Sequence, residues 1–323
     1  MILTTNIFRD QVDRYSDVEM TYDLILEGAA KTPETLLMLN GDAPIFNENK
    51  TQNPRQFFGF ANKNQVAAEL TADHSEPGEC PNCGETLNYH MLTYSNLGDY
   101  SCPNCGLNRP ELTYHVDEVT ETTPKSTRFV INGYPFELPL AGIYNVYNAL
   151  SAYAIGRFME MTPEKIAQGF METQAVFGRQ ERIMIEDKEL QVNLIKNAAG
   201  LNQVIELLEL EKEPFALFVS VNNNAADGKD SSWLKEGNFN QLAKLSVTEA
   251  YVSGSQQELI ADQLVTAGFS RENIWPVKDE KAIIKTIKGM TTKKIYILTS
   301  YTSMLSLREE LAEQGLVKER MQA

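Results

Sequence analysis

Two identical Cys-Pro-Asn-Cys tetrapeptides constrain this chain more than any other feature of its sequence. The first runs from Cys80 to Cys83 and the second from Cys102 to Cys105, with eighteen residues between them. Two C-x-x-C pairs separated by about 15 to 20 residues match the spacing at which four thiolates surround one zinc ion. A glycine follows each pair, and glycine permits the tight turn that such a site requires. The spacing therefore predicts a zinc ribbon.

Two alternative interpretations of the cysteines are a pair of disulfides and four unconnected buried thiols. Zinc is favoured because the spacing fits a known ligand pattern and no secretory signature accompanies it. Four thiolates leave no coordination position for water or substrate, so the metal is expected to be structural. His90 lies nearby in the sequence, but it is not needed as a ligand.

Length and charge limit the classes of function. A chain of 323 residues indicates two domains plus an inserted module. Its longest apolar runs fall short of the ~18 residues that a membrane-spanning helix needs, so we expect a cytosolic protein. The net charge of −15 argues against a nucleic-acid partner, because nucleic acids bind mainly through Lys and Arg. The segment from Cys80 to Arg109 contains Arg109 as its one Lys or Arg residue.

The first part of the chain reads as one α/β domain interrupted by the cysteines. Apolar periodicity predicts strands at Met1–Ile7, Thr35–Asn40 and Gln56–Phe60 and a helix at Thr21–Ala30. Residues Arg128–Glu137 alternate around an Asn-Gly pair, which predicts a β-hairpin. The four-cysteine module, about residues 75–114, is therefore expected to be an insertion between strands of one domain.

Two helices are predicted after this hairpin. The first is rich in alanine and begins with Asn145 and Asn148, which are three residues apart and would share one face. The sequence leaves open whether these asparagines bind a ligand or serve as cap and surface residues. The second helix begins at Thr162-Pro163, a hydroxyl N-cap followed by proline, and is expected to end at Gly178.

From residue 187 the pattern predicts a second α/β domain. Short apolar runs alternate with amphipathic segments, which indicates a mainly parallel sheet with both faces covered. The predicted strands are Val192–Ile195, Phe215–Val221, Ala250–Ser253 and Lys294–Leu298. A polar loop, Val221–Trp233, follows one of them, and ligands bind at the carboxyl ends of strands in open α/β sheets. A plain turn at Asp227-Gly228 is the alternative interpretation of this loop.

Together and in order, the motifs of this chain resemble the MurT family, the Mur-ligase-like subunits of glutamine-hydrolysing lipid II isoglutaminyl synthases. Besides the four cysteines, they are Asn6-Ile-Phe-Arg-Asp-Gln-Val-Asp-Arg-Tyr15, Leu39-Asn-Gly-Asp42, Leu140-Ala-Gly-Ile-Tyr-Asn-Val-Tyr-Asn-Ala-Leu150, Ile195-Lys-Asn-Ala-Ala-Gly-Leu-Asn-Gln203 and Asn224-Ala-Ala-Asp-Gly-Lys-Asp-Ser-Ser-Trp233. The resemblance implies an α/β fold with a partial Mur-ligase central, ATP-binding domain at residues 1–186. It implies a C-terminal Rossmann-like α/β domain at residues 187–323, facing a glutaminase partner.

The resemblance also implies a reaction. Family members amidate the D-glutamate of the peptidoglycan stem peptide on lipid II, with ATP and magnesium activating the carboxylate as an acyl phosphate. A GatD-like glutaminase subunit supplies ammonia from glutamine. The expected location is the cytoplasm, at the inner face of the membrane where the lipid substrate lies.

Site residues follow from the same resemblance. Asn148 is similar to the family's nucleotide-contacting asparagine, and Asn145 is its neighbour in the motif. Asp230 resembles the aspartate that the family places against the partner's Cys-His pair, and Asp227 is the second candidate. Arg179, together with Arg182, resembles arginines that Mur ligases use near phosphates. The ligands of the structural zinc are expected to be Cys80, Cys83, Cys102 and Cys105.

The sequence departs from the family pattern in three places. Mur ligases carry a Gly-rich loop of the Gly-Thr-Asn-Gly-Lys-Thr type that cradles the nucleotide phosphates, and these 323 residues contain none. Ala198 replaces a proline of the family, and Lys235–Asn240 replaces an acidic stretch. The expected alternative to the amidating subunit is therefore a truncated or degenerate scaffold that binds the glutaminase without binding ATP.

Overall fold

A computed structural model describes residues 1–8, 17–48, 50–61, 78–173, 175 and 178–317. Within it the chain divides into two compact units, with the main division between residues 174 and 175. Most of the polar segment expected after the first strand, residues 9–15, lies outside the described part.

The first unit is built on a six-stranded sheet whose order is β1-β2-β3-β6-β7-β8. Its strands, with the two strands of the inserted hairpin, are β1 (Ile2–Thr4), β2 (Leu37–Asn40), β3 (Arg55–Phe60), β4 (Asn88–Tyr94), β5 (Leu97–Ser101), β6 (Tyr114–Thr122), β7 (Thr127–Ile131) and β8 (Tyr134–Leu138). Strands β1, β2, β3 and β6 are parallel neighbours, and β6 to β8 form an antiparallel meander. The described part of the four-cysteine module thus lies between two neighbouring strands of one sheet.

The β7–β8 hairpin forms where the Asn-Gly pair predicts it. Asn132 and Gly133 both have positive φ, 46° and 77°, as a two-residue type I′ turn requires. Asparagine and glycine are the residues that best tolerate positive φ. A two-residue turn of this type also fixes the register in which the two strands pair.

Three helices of the first unit are described: α1 (Val18–Ala30), α2 (Ile143–Phe158) and α3 (Pro163–Met171). The Thr162 side chain caps α3 as predicted, because it accepts a hydrogen bond from the backbone N–H of Lys165 at 3.4 Å. The expected end at Gly178 is wrong. The helix ends at Met171, directly after Phe170, which is its last buried residue.

The second unit contains another six-stranded sheet, of order β13-β12-β11-β14-β10-β9. Its strands are β9 (Arg179–Ile185), β10 (Lys188–Leu194), β11 (Phe215–Ser220), β12 (Val247–Ser253), β13 (Ile274–Pro276) and β14 (Lys294–Thr299). All neighbours are parallel except β9 and β10. The sequence-based boundary at 186/187 falls in the turn between β9 and β10. Because these two strands pair in one sheet, the structure includes Arg179–Ile185 in the second unit.

Helices cover both faces of this second sheet, as the sequence predicts. They are α4 (Ala198–Glu209), α5 (Phe239–Leu242), α6 (Gln257–Ala267), α7 (Glu280–Gly289) and α8 (Tyr301–Glu313). Leu217 and Val219 of β11 pack with residues of α4, α5 and α6, whereas Ala216 and Phe218 pack with residues of α7 and α8. Successive side chains of a strand point to opposite faces, so a central strand covered on both sides must be apolar throughout. Accordingly, every residue of β11 is buried.

Within the described part of the chain, the helices are too short or too polar to cross a membrane.

Candidate functional site

The four cysteine side chains converge although Cys80 and Cys105 are 25 residues apart. Their Sγ atoms all lie within 4.8 Å of one another. The Sγ atoms of Cys80 and Cys105 are 3.5 Å apart, and those of Cys83 and Cys102 are also 3.5 Å apart. Zinc–sulfur bonds of about 2.3 Å in a tetrahedron place sulfur atoms ~3.8 Å apart. The donor set and its spacing therefore fit a four-thiolate zinc ion.

Each pair of cysteines is held by a tight turn. The backbone N–H of Gly84 donates to the Cys80 carbonyl at 2.8 Å, and that of Gly106 donates to the Cys102 carbonyl at 3.2 Å. Both glycines have positive φ, 73° and 74°, which explains why glycine follows each pair. The first and third cysteines are buried, and the second and fourth are exposed at the tip.

The two buried thiols of the cluster differ in acidity. The backbone N–H of Cys105 lowers the pKa of the Cys102 thiol, which favours its thiolate form. Burial raises the pKa of Cys80 to about 12. Because the thiolate is the form that binds metal, a divalent cation would displace the Cys80 proton. His90 lies outside the cluster; its Nε2 is 3.1 Å from the Ser101 hydroxyl.

A buried carboxylate joins the four-cysteine module to the sheet of the first unit. Asp42, directly after β2, is fully buried and accepts three hydrogen bonds. The donors are Arg109 at 2.8 Å, the backbone N–H of Phe60 at 2.7 Å and the Tyr147 hydroxyl at 2.7 Å. Burial raises the pKa of Asp42, although the Arg109 guanidinium opposes the shift. Removing one partner of such a buried pair leaves the other charge uncompensated.

Sequence reasoning missed this cluster. Asp42 and Tyr147 both lie in motifs that resemble the family, but neither motif indicates that the two side chains meet. One clue was available, because Arg109 is the one Lys or Arg residue in the segment from Cys80 to Arg109. Gly59 is a second clue. A Cβ atom at this position would lie 2.4 Å from Asp42 Oδ1, so the Asp42 carboxylate leaves no room for a side chain there.

Two asparagines meet at the carboxyl ends of β1 and β2. The Asn40 amide donates to Asn6 Oδ1 at 2.9 Å, and the Asn6 amide donates to the Tyr94 hydroxyl at 3.0 Å. Asn40 is fully buried and Asn6 is partly exposed. The carboxyl ends of neighbouring parallel strands are where ligands bind in open α/β sheets. Asn6 therefore belongs to the candidate binding edge of the first unit.

Asn145 and Asn148 lie in the first part of α2, three residues apart as predicted, but their environments differ. Asn145 is buried, and its amide donates to the Ala141 carbonyl at 2.8 Å. Asn148 is exposed, and its amide nitrogen lies 3.4 Å from Asn145 Oδ1. Asn145 is thus in a position to orient Asn148, and Asn148 is the asparagine that can reach a ligand.

In the second unit the polar loop after β11 is ordered around Asp227. This carboxylate is buried and accepts from the Thr302 backbone N–H at 2.8 Å, the Thr302 hydroxyl at 2.6 Å and the Asn224 backbone N–H at 3.2 Å. Both carboxylate oxygens are therefore occupied at the N-terminal end of α8. A remote aspartate at this position satisfies a helix N–H that lacks an intrahelical partner and interacts favourably with the helix dipole.

Asp230 occupies a different environment in the same loop. It is partly exposed, and its Oδ1 accepts a hydrogen bond from the Ser232 backbone N–H at 2.9 Å. Trp233 follows and packs against the core on the α4–α6 face of the sheet, which accounts for a tryptophan in a polar loop. The structure thus separates the two candidate aspartates into a buried one, Asp227, and an accessible one, Asp230.

This difference predicts different effects on stability. Asp227→Asn is expected to reduce the free energy of unfolding by about 1 to 3 kcal/mol, because the loop loses a charged acceptor for three donors. Asp230→Asn is expected to change it by less than about 0.5 kcal/mol, since an asparagine oxygen can still accept from Ser232. Urea unfolding of both variants measures the difference. Equal stability of the two variants would contradict the structural role of Asp227.

The arginines expected near phosphates lie on β9. Arg179 is exposed at the first position of the strand. The Nε of Arg182 is 3.7 Å from the Glu189 carboxylate on the neighbouring strand β10. Gly178, just before Arg179, has a φ of 74° and donates its N–H to the Glu181 carboxylate at 3.0 Å. Glu181 also pairs with Arg308 of α8, which anchors this segment within the second unit.

The sequence of this chain is similar to one protein family and to two curated proteins. The family described as MurT ligase C-terminal matches residues 194–304. The lipid II isoglutaminyl synthase (glutamine-hydrolysing) subunit MurT of Streptococcus pneumoniae is 40% identical over 321 residues, which are 99% of this chain and 72% of that protein. The subunit of the same name from Staphylococcus aureus is 31% identical over 314 residues, 96% of this chain and 70% of that protein.

Solved structures with a similar fold include a pseudomurein peptide ligase and MurF. A pseudomurein peptide ligase type C from Methanothermus fervidus has a TM-score of 0.65 at 23% identity, covering 97% of this chain and 62% of that one. MurF from Acinetobacter baumannii has a TM-score of 0.60 at 15% identity, covering 96% of this chain and 59% of that one. The chain therefore has a Mur-ligase-like fold and spans about three fifths of these solved chains.

Proposed function

This chain belongs to the MurT family of Mur-ligase-like proteins, and we propose that it is the ligase subunit of a glutamine-hydrolysing lipid II isoglutaminyl synthase. The observation that carries the proposal is the sequence identity to a curated MurT subunit over nearly the whole chain. The complex would amidate the D-glutamate of the stem peptide to D-isoglutamine during peptidoglycan biosynthesis. Its lipid substrate would bring it to the inner face of the membrane.

The chemistry requires activation, because a carboxylate is a poor electrophile. In the proposed reaction a D-glutamate carboxylate oxygen takes the γ-phosphoryl group of ATP, which releases ADP. Ammonia then attacks the carbonyl carbon of the acyl phosphate, and inorganic phosphate leaves. Magnesium would accompany the nucleotide and offset the charge that gathers on the transferred phosphoryl group.

In the first unit, Asn148 is proposed to contact the nucleotide. Its exposure on α2 and the support from Asn145 make this geometrically reasonable. In the second unit, Arg179 is exposed at the start of β9 and is proposed as a cation that can bind a phosphate group. The four thiolates of the module would hold a structural zinc ion, since a closed Cys₄ site leaves no place for a substrate.

In the second unit, Asp230 is proposed to act on a partner. A GatD-like glutaminase would use a cysteine nucleophile and a histidine base, and the Asp230 carboxylate would orient and stabilise the imidazolium. A residue with this task must reach beyond its own chain. Asp230 is partly exposed, whereas Asp227 is buried, so Asp230 is the better candidate.

The nucleotide assignment is testable by titration of the protein, co-purified with its glutaminase, with ATP and magnesium. Asn148→Ala is expected to weaken ATP binding about 3- to 20-fold, because the nucleotide would lose one or two hydrogen bonds to the protein. Gln168→Ala, which removes an exposed amide from the neighbouring helix α3, serves as the matched control and should leave the affinity unchanged.

Two results would change the proposal. Unaltered affinity in Asn148→Ala would remove this residue from the nucleotide site. A complex that hydrolyses glutamine but binds no ATP at millimolar concentration would mean that the chain is a non-catalytic scaffold for the glutaminase.

A further inference from the structure

The four-cysteine module is packed into the sheet of the first unit rather than attached to it by its ends. Its own core consists of Cys80, Leu87, Tyr100 and Cys102. In contrast, Met91, Tyr94 and Leu97 of its β4–β5 hairpin belong to the core of the sheet. A module that only needed a metal to fold would not require buried side chains reaching into its host.

The first connection runs through Tyr94, the last residue of β4. Its hydroxyl accepts the hydrogen bond from the Asn6 amide at 3.0 Å, and its ring lies 5.8 Å from the ring of Phe8. Both contacts fall on the segment that follows β1 at the carboxyl edge of the sheet. Asn6 in turn accepts from Asn40, the last residue of β2, so the Tyr94 hydroxyl is linked to the ends of two strands.

The second connection runs through Asp42 to helix α2. Arg109 of the module and Tyr147 of α2 both donate to the Asp42 carboxylate, and the Thr93 hydroxyl lies 2.7 Å from the Tyr147 hydroxyl. Tyr147 is fully buried and immediately precedes Asn148 in α2. The hydrogen bonds of the Tyr147 hydroxyl therefore hold the turn of α2 that also carries Asn148.

We propose that the four-cysteine module positions the nucleotide-binding edge of the first unit, with Tyr94 and Arg109 as positioning residues. Tyr94 holds Asn6 and the strand ends, and Arg109 holds Asp42 and thereby the Asn148 turn of α2. This inference rests on the proposed function, because it assumes that ATP binds at this edge. It assigns the module a role in substrate affinity besides structural stability.

Two tyrosines of one strand allow a matched test. Tyr94→Phe keeps the ring contacts and removes only the hydroxyl that accepts from Asn6. Tyr89→Phe removes a hydroxyl of the same strand that donates to the Asn96 carbonyl at 2.8 Å, wholly within the module. Both variants should retain the metal content of the unmodified protein, and each loses only a tyrosine hydroxyl and its hydrogen bonding.

The readout is ATP affinity in the complex with its glutaminase, with the KM for ATP and kcat measured in parallel. Tyr94→Phe is expected to raise the dissociation constant and the KM about three- to tenfold with little change in kcat. Amide hydrogen exchange at residues 2–6 should also become faster. Tyr89→Phe is expected to match the unmodified protein in each respect.

The outcomes separate the two proposals. If the unmodified complex binds no ATP, the proposed function itself fails. If it binds ATP and Tyr94→Phe binds ATP equally well, the positioning role is wrong. Equal weakening in Tyr94→Phe and Tyr89→Phe would likewise overturn the positioning role, since it would reflect general destabilisation of the module.

Discussion

Asp230→Asn is expected to lower glutamine hydrolysis by the complex about 10²- to 10⁴-fold while the chain remains folded. Asparagine keeps the shape of the side chain and its hydrogen bond to Ser232, but it lacks the charge that stabilises an imidazolium on the partner. In triads, removal of this charge lowers the rate without abolishing the nucleophile. Release of ammonia from glutamine, measured with saturating substrate, gives kcat directly.

Asp227→Asn provides the control for this experiment. Its expected effect is on stability, because Asp227 fastens the loop to Thr302 of α8. At a temperature where both variants are folded, Asp227→Asn should retain most of the glutaminase rate. Unchanged ammonia release in Asp230→Asn would remove Asp230 from the partner's active site. A large loss in Asp227→Asn alone would assign the role to that residue.

The second large effect concerns the metal. We expect one zinc ion per chain in protein purified without chelator, and none in Cys102→Ser. Structural zinc contributes about 10 to 16 kcal/mol of apparent binding free energy in small zinc domains at pH 7. This binding free energy is as large as the whole free energy of unfolding of a typical domain, about 5 to 15 kcal/mol. The variant should therefore lose the folded module and, through Tyr94 and Arg109, destabilise the first unit.

His90→Ala is the matched control for the metal experiment. His90 lies on β4 of the same module but outside the sulfur cluster, so this variant should keep one zinc ion and nearly unchanged thermal stability. Elemental analysis and thermal unfolding measure both quantities. A metal-free but stably folded preparation of the unmodified protein would contradict the zinc assignment.

Much of the fold was predictable because its signals are local. The β7–β8 hairpin follows from Asn132-Gly133, and the start of α3 follows from Thr162-Pro163. The parallel sheet of the second unit follows from alternating strand and helix patterns. The cysteine spacing led to the one cluster in the described chain that could bind a metal through sulfur.

The ends of helices and the boundary between the two units were predicted less accurately than the presence of the elements. Gly178 looked like a helix stop, but α3 ends at Met171 and Gly178 begins a segment held by Glu181. The sequence-based boundary at 186/187 leaves Arg179–Ile185 in the first domain, because the regular alternation of strands and helices becomes recognisable only after it. Pairing with β10 decides its membership, and pairing is a property of two strands together.

The sequence by itself determined the four clustered thiols, the alternation of strands and helices in the second unit, and the set of candidate asparagines and aspartates. Only the tertiary structure decided that Asp227 is an internal acceptor and Asp230 an accessible one, and that Asn145 supports Asn148. It alone revealed the Asp42 cluster, whose partners Arg109 and Tyr147 lie 67 and 105 residues away along the chain. Turns, caps and ligand spacing depend on neighbouring residues, so they can be recognised in a sequence. Burial and hydrogen bonding depend on which distant segments meet, and that is established only when the chain folds.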